Sequence, residues 1–518
     1  MNMRSTPLAR RGAPTLVLLL SFVLAACQVF RPAGGVPRPD YWPTEGWRTA
    51  SPEAQGFDSA KLAEGLLAIR QNGTRVHSLM LIRDGYVLLH ANFYPYDGST
   101  YHDMASVTKS VMTTLIGIAI DQGKLALDDP MVSFFPHRTI ANLDERKQRI
   151  TVRHLAGMTS GLECDPVTDS SDLEAMWASD DWIQFSLDRP VVAEPGTKWA
   201  YCGPSVHLLS AILQEATGVN AFEFARENLF GPLGINASYW ESDPQGNSRG
   251  WGDLFLFPED AAKLGLLMLQ GGRWEGRQIV SPDWVTEATK AHRTTNRGQR
   301  YGYAWWVSAS SEDIPYFSAD GRGGQFVTVF PSLNLIVATT GGGFEDKGDV
   351  AEYLGAAIGD TERALPANPA GEAALEAAIS QIGLAPAPVV VPPASELAQS
   401  VSGKVYVLEP NPIQLLWIAL DFNDPSQATL RLELGDEAAP RTIPVGLDGT
   451  MHIEPGPEGV LGGASGEWIE RDVFVVEYDE IARIDAWTMR FKFRGQELAL
   501  QIYGRSSAGL FDLKGTQQ

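Results

Sequence analysis

A run of uncharged residues in the first quarter of the chain limits the possible folds more than any other feature. Residues 111–120, VMTTLIGIAI, carry no charged side chain, and Gly123 follows shortly after them. A helix that is apolar on every side belongs in a core rather than on a surface. Glycine just beyond the last turn is typical of a helix C-cap. We therefore predict a buried helix around which the rest of a domain is organised.

The residues that lead into this helix contain an S-x-x-K pair, Ser106 and Lys109. Side chains three residues apart on a helix share a face and can touch. A serine hydroxyl becomes a strong nucleophile when a neighbouring base takes its proton, and a lysine kept neutral by burial can be that base. A chain of this composition contains about one such pair by chance. A serine near a helix start with a solvated lysine one turn later is the alternative.

Length and charge limit the class of protein. At 518 residues the chain exceeds one ordinary core, so two folded units are expected. The formal net charge of −22 argues against nucleic-acid binding, because phosphate contacts need clustered Lys and Arg. We predict no nucleic-acid partner, and the sequence indicates no particular oligomeric state.

The first residues are typical of an export signal. Three arginines precede a short apolar stretch at 16–23, which is too short to span a bilayer as a stable helix. The tetrapeptide LAAC at 24–27 resembles the lipobox of bacterial lipoproteins, in which Cys27 becomes the lipid-modified first residue. We predict a signal peptide at 1–26, a tether at 27–45, and a lipid anchor in the cell envelope, facing the periplasm from the outer membrane. A plain signal peptide that leaves Cys27 as a free thiol is the alternative.

Two further cysteines, Cys164 and Cys202, follow in the exported part. In an oxidising compartment such a pair can form a disulfide. A bridge of this separation stabilises a fold by about 3–4 kcal/mol in the chain-entropy model. Two buried reduced thiols are the alternative. The cysteines are too few for a structural zinc site, and we predict no metal and no cofactor.

The residue pattern of the first 364 residues predicts both a β-sheet and many helices. Two apolar runs, 78–83 and 86–90, are separated by Asp84-Gly85, which favours a type I′ hairpin turn. Residues 301–307, 326–330 and 335–340 have the composition of strands. Most of 104–290 has helix signals, and His154 is expected to have a structural role there.

Two loops contain candidate functional residues. Tyr201 follows a Pro-Gly turn, and a phenol, with an unperturbed pKa near 10, can carry protons beside a lysine. An ordinary half-buried aromatic is the alternative for Tyr201. The glycines of ADGRGG at 319–324 let a strand backbone approach a ligand closely.

Several motifs occur in a fixed order: SVTK at 106–109, SGL at 160–162, PGTKWAY at 195–201, YCG at 201–203, YGYAWW at 301–306 and ADGRGG at 319–324. With them the chain resembles the β-lactamase-related serine hydrolases over residues 46–364. Within that superfamily it is similar to the class C-type esterases and the 6-aminohexanoate-dimer hydrolase group. The resemblance implies an α+β fold, with an antiparallel sheet flanked by helices and a helical subdomain.

The resemblance also implies the roles of individual residues. Ser106 is the acylated nucleophile, Lys109 its base and Tyr201 a second proton carrier. The backbone N–H groups of Ser106 and Arg322 form the oxyanion hole. The substrate-binding strand matches Ala319, Asp320, Gly321, Gly323 and Gly324. A Cys164–Cys202 disulfide would brace this site.

Two departures from the family pattern affect the expected substrate. Gly203 stands where the second motif usually ends in Asn, and Ala319 stands where the third usually opens with Lys or His. Those side chains help β-lactamases bind the amide and carboxylate of their substrate. We therefore expect an esterase or amidase acting on a small molecule rather than a true β-lactamase. A non-hydrolytic penicillin-binding or peptidoglycan-sensing lipoprotein is the alternative.

The last part of the chain has a different pattern. Residues 365–398 are rich in Ala and Pro and are predicted to be a linker with one helix at 371–382. From 399 to 518 apolar residues alternate with polar ones, for example at 430–434 and 489–494, which predicts a small all-β barrel or sandwich. We expect this accessory domain to pack against, or cap, the hydrolase domain.

Overall fold

The computed structural model describes residues 39–165, 170–295, 298–308, 314–344, 346–435, 439–455, 460–504 and 509–518. The predicted signal peptide, Cys27 and the first part of the tether lie outside these residues. Within them, no helix is both long enough and apolar enough to cross a membrane.

The helices of the described chain lie almost entirely in its first 383 residues. They are α1 Ser59–Gln71, α2 Val107–Asp121, α3 Glu145–Gln148, α4 Val152–Ala156, α5 Ser170–Trp177, α6 Trp182–Asp188, α7 Gly203–Thr217, α8 Ala221–Ala225, α9 Pro258–Leu269, α10 Pro282–Ala288, α11 Gly348–Ala356, α12 Pro369–Gly383 and α13 Glu396–Val401.

The strands of this first domain are β1 Val76–Arg83, β2 Tyr86–Asn92, β3 His102–Asp103, β4 Ser238–Trp240, β5 Leu254–Leu256, β6 Arg273–Trp274, β7 Arg277–Gln278, β8 Arg293–Thr294, β9 Arg300–Tyr301, β10 Trp306–Val307, β11 Phe317–Gly321, β12 Gln325–Phe330 and β13 Leu335–Gly341. Eight of these described strands form one antiparallel sheet in the order β2-β1-β13-β12-β11-β10-β9-β8. Asp84 and Gly85 both have positive φ, at 52° and 85°, so the predicted hairpin turn joins β1 to β2.

The predicted central helix is confirmed as α2. Its residues 107–119 are all buried, and they pack among the helical subdomain and one face of the sheet. The other face of the sheet is covered by α1, α11 and α12. The predicted α+β fold is therefore correct.

Helix α12 differs from the linker in which the sequence places it. Leu375, Ala378 and Ile382 are buried in the core that covers the outer face of the sheet. Their spacing of three and four residues gives the helix one apolar stripe, and that stripe packs against α1. The helix is thus part of the packed first domain, and the extended chain that follows it spans to the second domain.

The second domain is a closed barrel. Its strands are β14 Val405–Leu408, β15 Leu415–Asp421, β16 Gln427–Leu434, β17 Arg441–Gly446, β18 His452–Pro455, β19 Leu461–Glu470, β20 Val473–Ile481, β21 Ala486–Arg494, β22 Glu497–Gly504 and β23 Leu510–Gln517. Among the described residues nine of these strands close the barrel through the pairing of Gly446 with Ser465, and β18 extends from β19. Along strands such as β16, alternate residues are buried and fill the interior.

Candidate active site

Helix α2 presents Ser106 at its N-terminal end, as the residue before the first helical position. The chain turns sharply to reach it, since Ala105 has φ +45°, a conformation that L side chains rarely adopt. The Asp103 carboxylate stabilises this turn by accepting a 2.7 Å hydrogen bond from the Ala105 N–H. A strained residue beside a candidate nucleophile is a common feature of functional sites.

Lys109 is buried beside Ser106. Its Nζ lies 2.8 Å from Ser106 Oγ and 2.8 Å from the carbonyl oxygen of Trp251, and the residue is only 2% exposed. The solvated lysine of the alternative interpretation is therefore absent. A general base must lie within hydrogen-bond reach of the proton it takes, and Lys109 meets that condition.

The contact between Lys109 Nζ and the carbonyl oxygen of Trp251 is one that the sequence did not indicate. The Trp251 side chain is 4% exposed and packs between Trp182 and His207, with ring centroids 5.6 Å and 4.9 Å away. His207 is itself held by Asp243, 3.0 Å from its Nε2. This packing fixes the carbonyl that orients the Lys109 amine.

Tyr201, from the loop before α7, lies beside the Lys109 amine. The Lys109 Nζ lies 4.6 Å from the centroid of the Tyr201 ring. Tyr201 also belongs to an aromatic cluster with Trp199, Trp306 and Tyr301. The structure thus brings the three predicted catalytic residues together from positions up to 95 residues apart in sequence (201 minus 106).

The Tyr201 loop is covalently tied to its neighbour. Cys164 and Cys202 are joined in a disulfide, with their Cα atoms 5.7 Å apart. Backbone bonds from Ala200 to Met158 and from Gly196 to Thr159 hold the same two segments together. These contacts restrain the segment that carries the phenol.

His154 has a structural role, as expected, because its Nδ1 accepts a hydrogen bond from the Thr151 N–H at the start of α4.

The glycine-rich segment at 319–324 approaches the nucleophile from the sheet. A Cβ on Gly321 would lie 2.6 Å from the Met104 carbonyl oxygen and 3.1 Å from the Ala105 Cβ, so only glycine fits there. The next residue, Arg322, begins the tight turn between β11 and β12. Its N–H is the second donor of the predicted oxyanion hole, and that role stays a prediction.

Ala319 and Asp320, two residues of the predicted substrate-binding strand, make contacts with other parts of the protein. Ala319 is 1% exposed and faces α2 in the core, where it lines a small internal cavity with Val107 and Ser110. Asp320 faces the opposite side of the sheet by strand alternation, and its Oδ1 is 2.6 Å from Lys347 Nζ. We therefore assign Asp320 to support of the strand rather than to contact with a substrate.

Buried titratable groups lie just before the nucleophile. Burial, together with the nearby Asp253 carboxylate, raises the pKa of Asp103 to about 7. Burial lowers the pKa of His102 to about 4, and His102 Nε2 lies 2.9 Å from Nδ1 of His77. Burial also lowers the pKa of His77 well below its usual value, so both histidines are neutral near pH 7, and they support the segment that leads into Ser106.

An α+β domain with a Ser-x-x-Lys pair on its buried helix, and a tyrosine from a second loop beside it, defines the β-lactamase/transpeptidase class of folds. A model of the beta-lactamase family matches residues 60–358, more than half of the chain. The chain belongs to the beta-lactamase family.

Individual relatives match only part of the chain, at about 30% sequence identity. A monacolin J acid methylbutanoyltransferase of Aspergillus terreus is 30% identical over 149 residues, which are 26% of this chain and 36% of that protein. A beta-lactamase of Escherichia coli (strain K12) is 29% identical over 163 residues, 30% of this chain and 40% of that protein. The chain thus spans less than half the length of these two curated relatives. The structure of EstCE1, a hydrolase with promiscuous acyltransferase activity, superposes with a TM-score of 0.50 at 17% identity, covering 58% of this chain and 99% of EstCE1. That likeness concerns the fold alone.

Proposed function

We propose that the protein is a serine hydrolase that cleaves a small ester or amide through an acyl-enzyme. The observation that carries the proposal is the 2.8 Å contact between the buried Lys109 amine and Ser106 Oγ, with the Tyr201 ring beside that amine. Nucleophile, base and a third orienting group within mutual reach form the arrangement that acyl transfer needs.

In the proposed mechanism Lys109 takes the proton of Ser106 as Oγ attacks the carbonyl carbon of the substrate. The N–H groups of Ser106 and Arg322 stabilise the negative oxygen of the tetrahedral intermediate. Collapse of the intermediate expels the alcohol or amine, which receives a proton through Lys109 and Tyr201. Water then attacks the acyl-Ser106 ester by the same steps, so that the acid is released and the Ser106 hydroxyl is restored.

The surroundings of the site favour an uncharged ester over a β-lactam. Gly203 offers no side chain, and Ala319 is buried against α2, so neither supplies the polar contacts that bind a carboxylate or an amide. The half-buried rings of Trp199, Tyr201 and Trp306 instead present apolar surface next to Lys109. An ester with an apolar acyl or alcohol group fits such a surface.

We also propose that the protein is exported and anchored in the envelope by a lipid on Cys27. The arginine-rich start, the short apolar stretch and the LAAC sequence support this, and the Cys164–Cys202 disulfide suits an oxidising compartment. Metabolic labelling with a palmitate analogue tests it. The expected result is label on the wild type and none on Cys27→Ala; an unlabelled wild type contradicts the anchor.

Activity is tested with p-nitrophenyl esters and nitrocefin on the wild type and on Ser106→Ala, together with intact-mass analysis after fluorophosphonate treatment. Ester turnover and a single adduct, both lost in Ser106→Ala, are expected. A stable penicillin adduct without ester turnover would favour the non-hydrolytic, penicillin-binding alternative. Neither turnover nor an adduct would show that Ser106 is not activated, and the proposed mechanism would fail.

A further inference from the structure

The turn between β20 and β21 of the barrel, residues 482–485, reaches the segment that leads into the nucleophile. The carbonyl oxygen of Ala482 accepts a 2.9 Å hydrogen bond from the N–H of Asp103, three residues before Ser106. Ala482 and Ile481 also pack against Tyr96 of the hydrolase domain in a small buried cluster. The barrel is therefore bonded to the backbone from which the strained approach to Ser106 begins.

The same turn contacts the second half of the proposed oxyanion hole. Ile484 is 3% exposed and lies directly on Gly323, where an added Cβ would be only 1.6 Å from Ile484 Cγ2. Gly323 follows Arg322, and the Arg322 guanidinium lies 3.8 Å from the Asp485 carboxylate. The barrel thus supports the residue that carries the second oxyanion donor, and also the residue after it.

The turn itself is held firmly at both ends. Across it, the backbone N–H of Glu480 donates to the carbonyl oxygen of Asp485 at 3.1 Å. The backbone N–H of Arg483 donates to the carbonyl oxygen of Glu480 at 2.9 Å. At its base, the buried carboxylate of Asp479 forms an ion pair with the partly exposed Arg75 of the hydrolase domain. At its side, the Arg483 guanidinium lies 5.2 Å from the centroid of the Phe255 ring. A turn restrained in this way can act as a fixed support for what it touches.

The supported segment needs such a restraint. Gly323 and Gly324 both have positive φ, at 83° and 99°, and glycine backbones deform more readily than any other. Oxyanion donors must be aimed at the developing charge, and a misplacement of about 1 Å reduces the rate by about 10²-fold. A contact that fixes Gly323 therefore also fixes the direction of the Arg322 N–H.

We propose that the 482–485 turn of the C-terminal barrel is a positioning element of the active site, with Ile484 as its principal residue. It holds the Asp103 and Arg322–Gly323 backbones in the relative placement that the oxyanion hole requires. The inference rests on the proposed hydrolase function. It assigns the barrel a part in catalysis, beyond the packing of one domain against another.

The test compares Ile484→Ala with Ile502→Ala, in the full-length protein. Ile502 is a buried isoleucine of the same barrel, on β22, and it packs in the barrel core. Both truncations destabilise the barrel, but only the first removes the contact with Gly323. We expect kcat for p-nitrophenyl butyrate to fall about 10–100-fold in Ile484→Ala, with KM within about twofold. In Ile502→Ala both constants stay within about twofold of wild type, at a temperature where thermal unfolding shows each variant folded.

A conservative variant gives a second readout. Ile484→Val keeps the Cγ2 methyl that touches Gly323 and should recover most of the rate lost in Ile484→Ala. If Ile484→Ala does not fold, Ile484→Leu takes its place, because it preserves volume while removing the branch at Cβ. A kcat that falls no further than in Ile502→Ala, or a change in KM alone, overturns the proposal. A wild type without Ser106-dependent turnover would instead refute the hydrolase function, so the two failures are distinguishable.

Discussion

The backbone of Gly321 lies against the carbonyl oxygen of Met104, so closely that a Cβ at position 321 would be 2.6 Å from that oxygen. This contact joins the end of β11 to the turn that presents Ser106. It is the point at which the sheet and the nucleophile helix meet.

Gly321→Ala should separate the two segments and reduce kcat strongly. The clash involves backbone on one side, so the strand must shift, and we expect a loss of about 10²-fold or more. Ester hydrolysis and thermal unfolding measure the effect. The control is Gly355→Ala in α11, where an added Cβ meets nothing within 4 Å and a small stabilisation of about 0.5–1 kcal/mol is expected. Full activity in Gly321→Ala would contradict the close approach.

Lys109→Met should abolish most activity while leaving the fold intact. Methionine fills the buried space of the lysine stem but cannot accept the Ser106 proton, and loss of a general base typically costs about 10²–10⁴-fold. The measurement is the rate of fluorophosphonate labelling of Ser106 by mass spectrometry. Labelling at the wild-type rate would show that another group serves as the base.

The raised pKa of Asp103 predicts that the free energy of unfolding depends on pH. Its folded pKa of about 7 lies above the value near 3.9 expected in the unfolded chain, so its stabilising effect is complete below about pH 4. That effect is lost as pH rises toward 7. Asp103→Asn keeps an oxygen for the Ala105 N–H and does not titrate, so the wild type should lose stability relative to this variant between about pH 4 and about pH 7. Equal changes in melting temperature across that range would show that the Asp103 pKa is not raised.

Removing the disulfide should destabilise the Tyr201 loop. Replacing Cys164 and Cys202 together by alanine is expected to lower the free energy of unfolding by about 2–4 kcal/mol. Denaturant unfolding of this variant and of the oxidised wild type measures the difference. Peptide mass mapping without reductant is the control, and free thiols in the wild type would contradict the bridge.

The local features of this protein were determined by the sequence itself. The Asp84-Gly85 turn, the buried α2 and the Ser106–Lys109 contact each depend on residues within one turn or one helix, so short-range spacing predicted them. The alternation of apolar residues after 399 likewise predicted an all-β domain. Its closure as a barrel, through Gly446 and Ser465, depended on a pairing that spacing does not indicate.

The contacts that complete the site were decided only by the tertiary structure. The Lys109 amine is oriented by the Trp251 carbonyl, 142 residues away, and a backbone carbonyl has no signature in the sequence. The same holds for the contact of Gly321 with Met104 and for the position of Ile484 on Gly323. Such contacts join segments distant along the chain, and packing of the whole domain brings them together. Spacing and the family resemblance together therefore singled out the candidate reactive groups, and the tertiary fold determined what holds them in place.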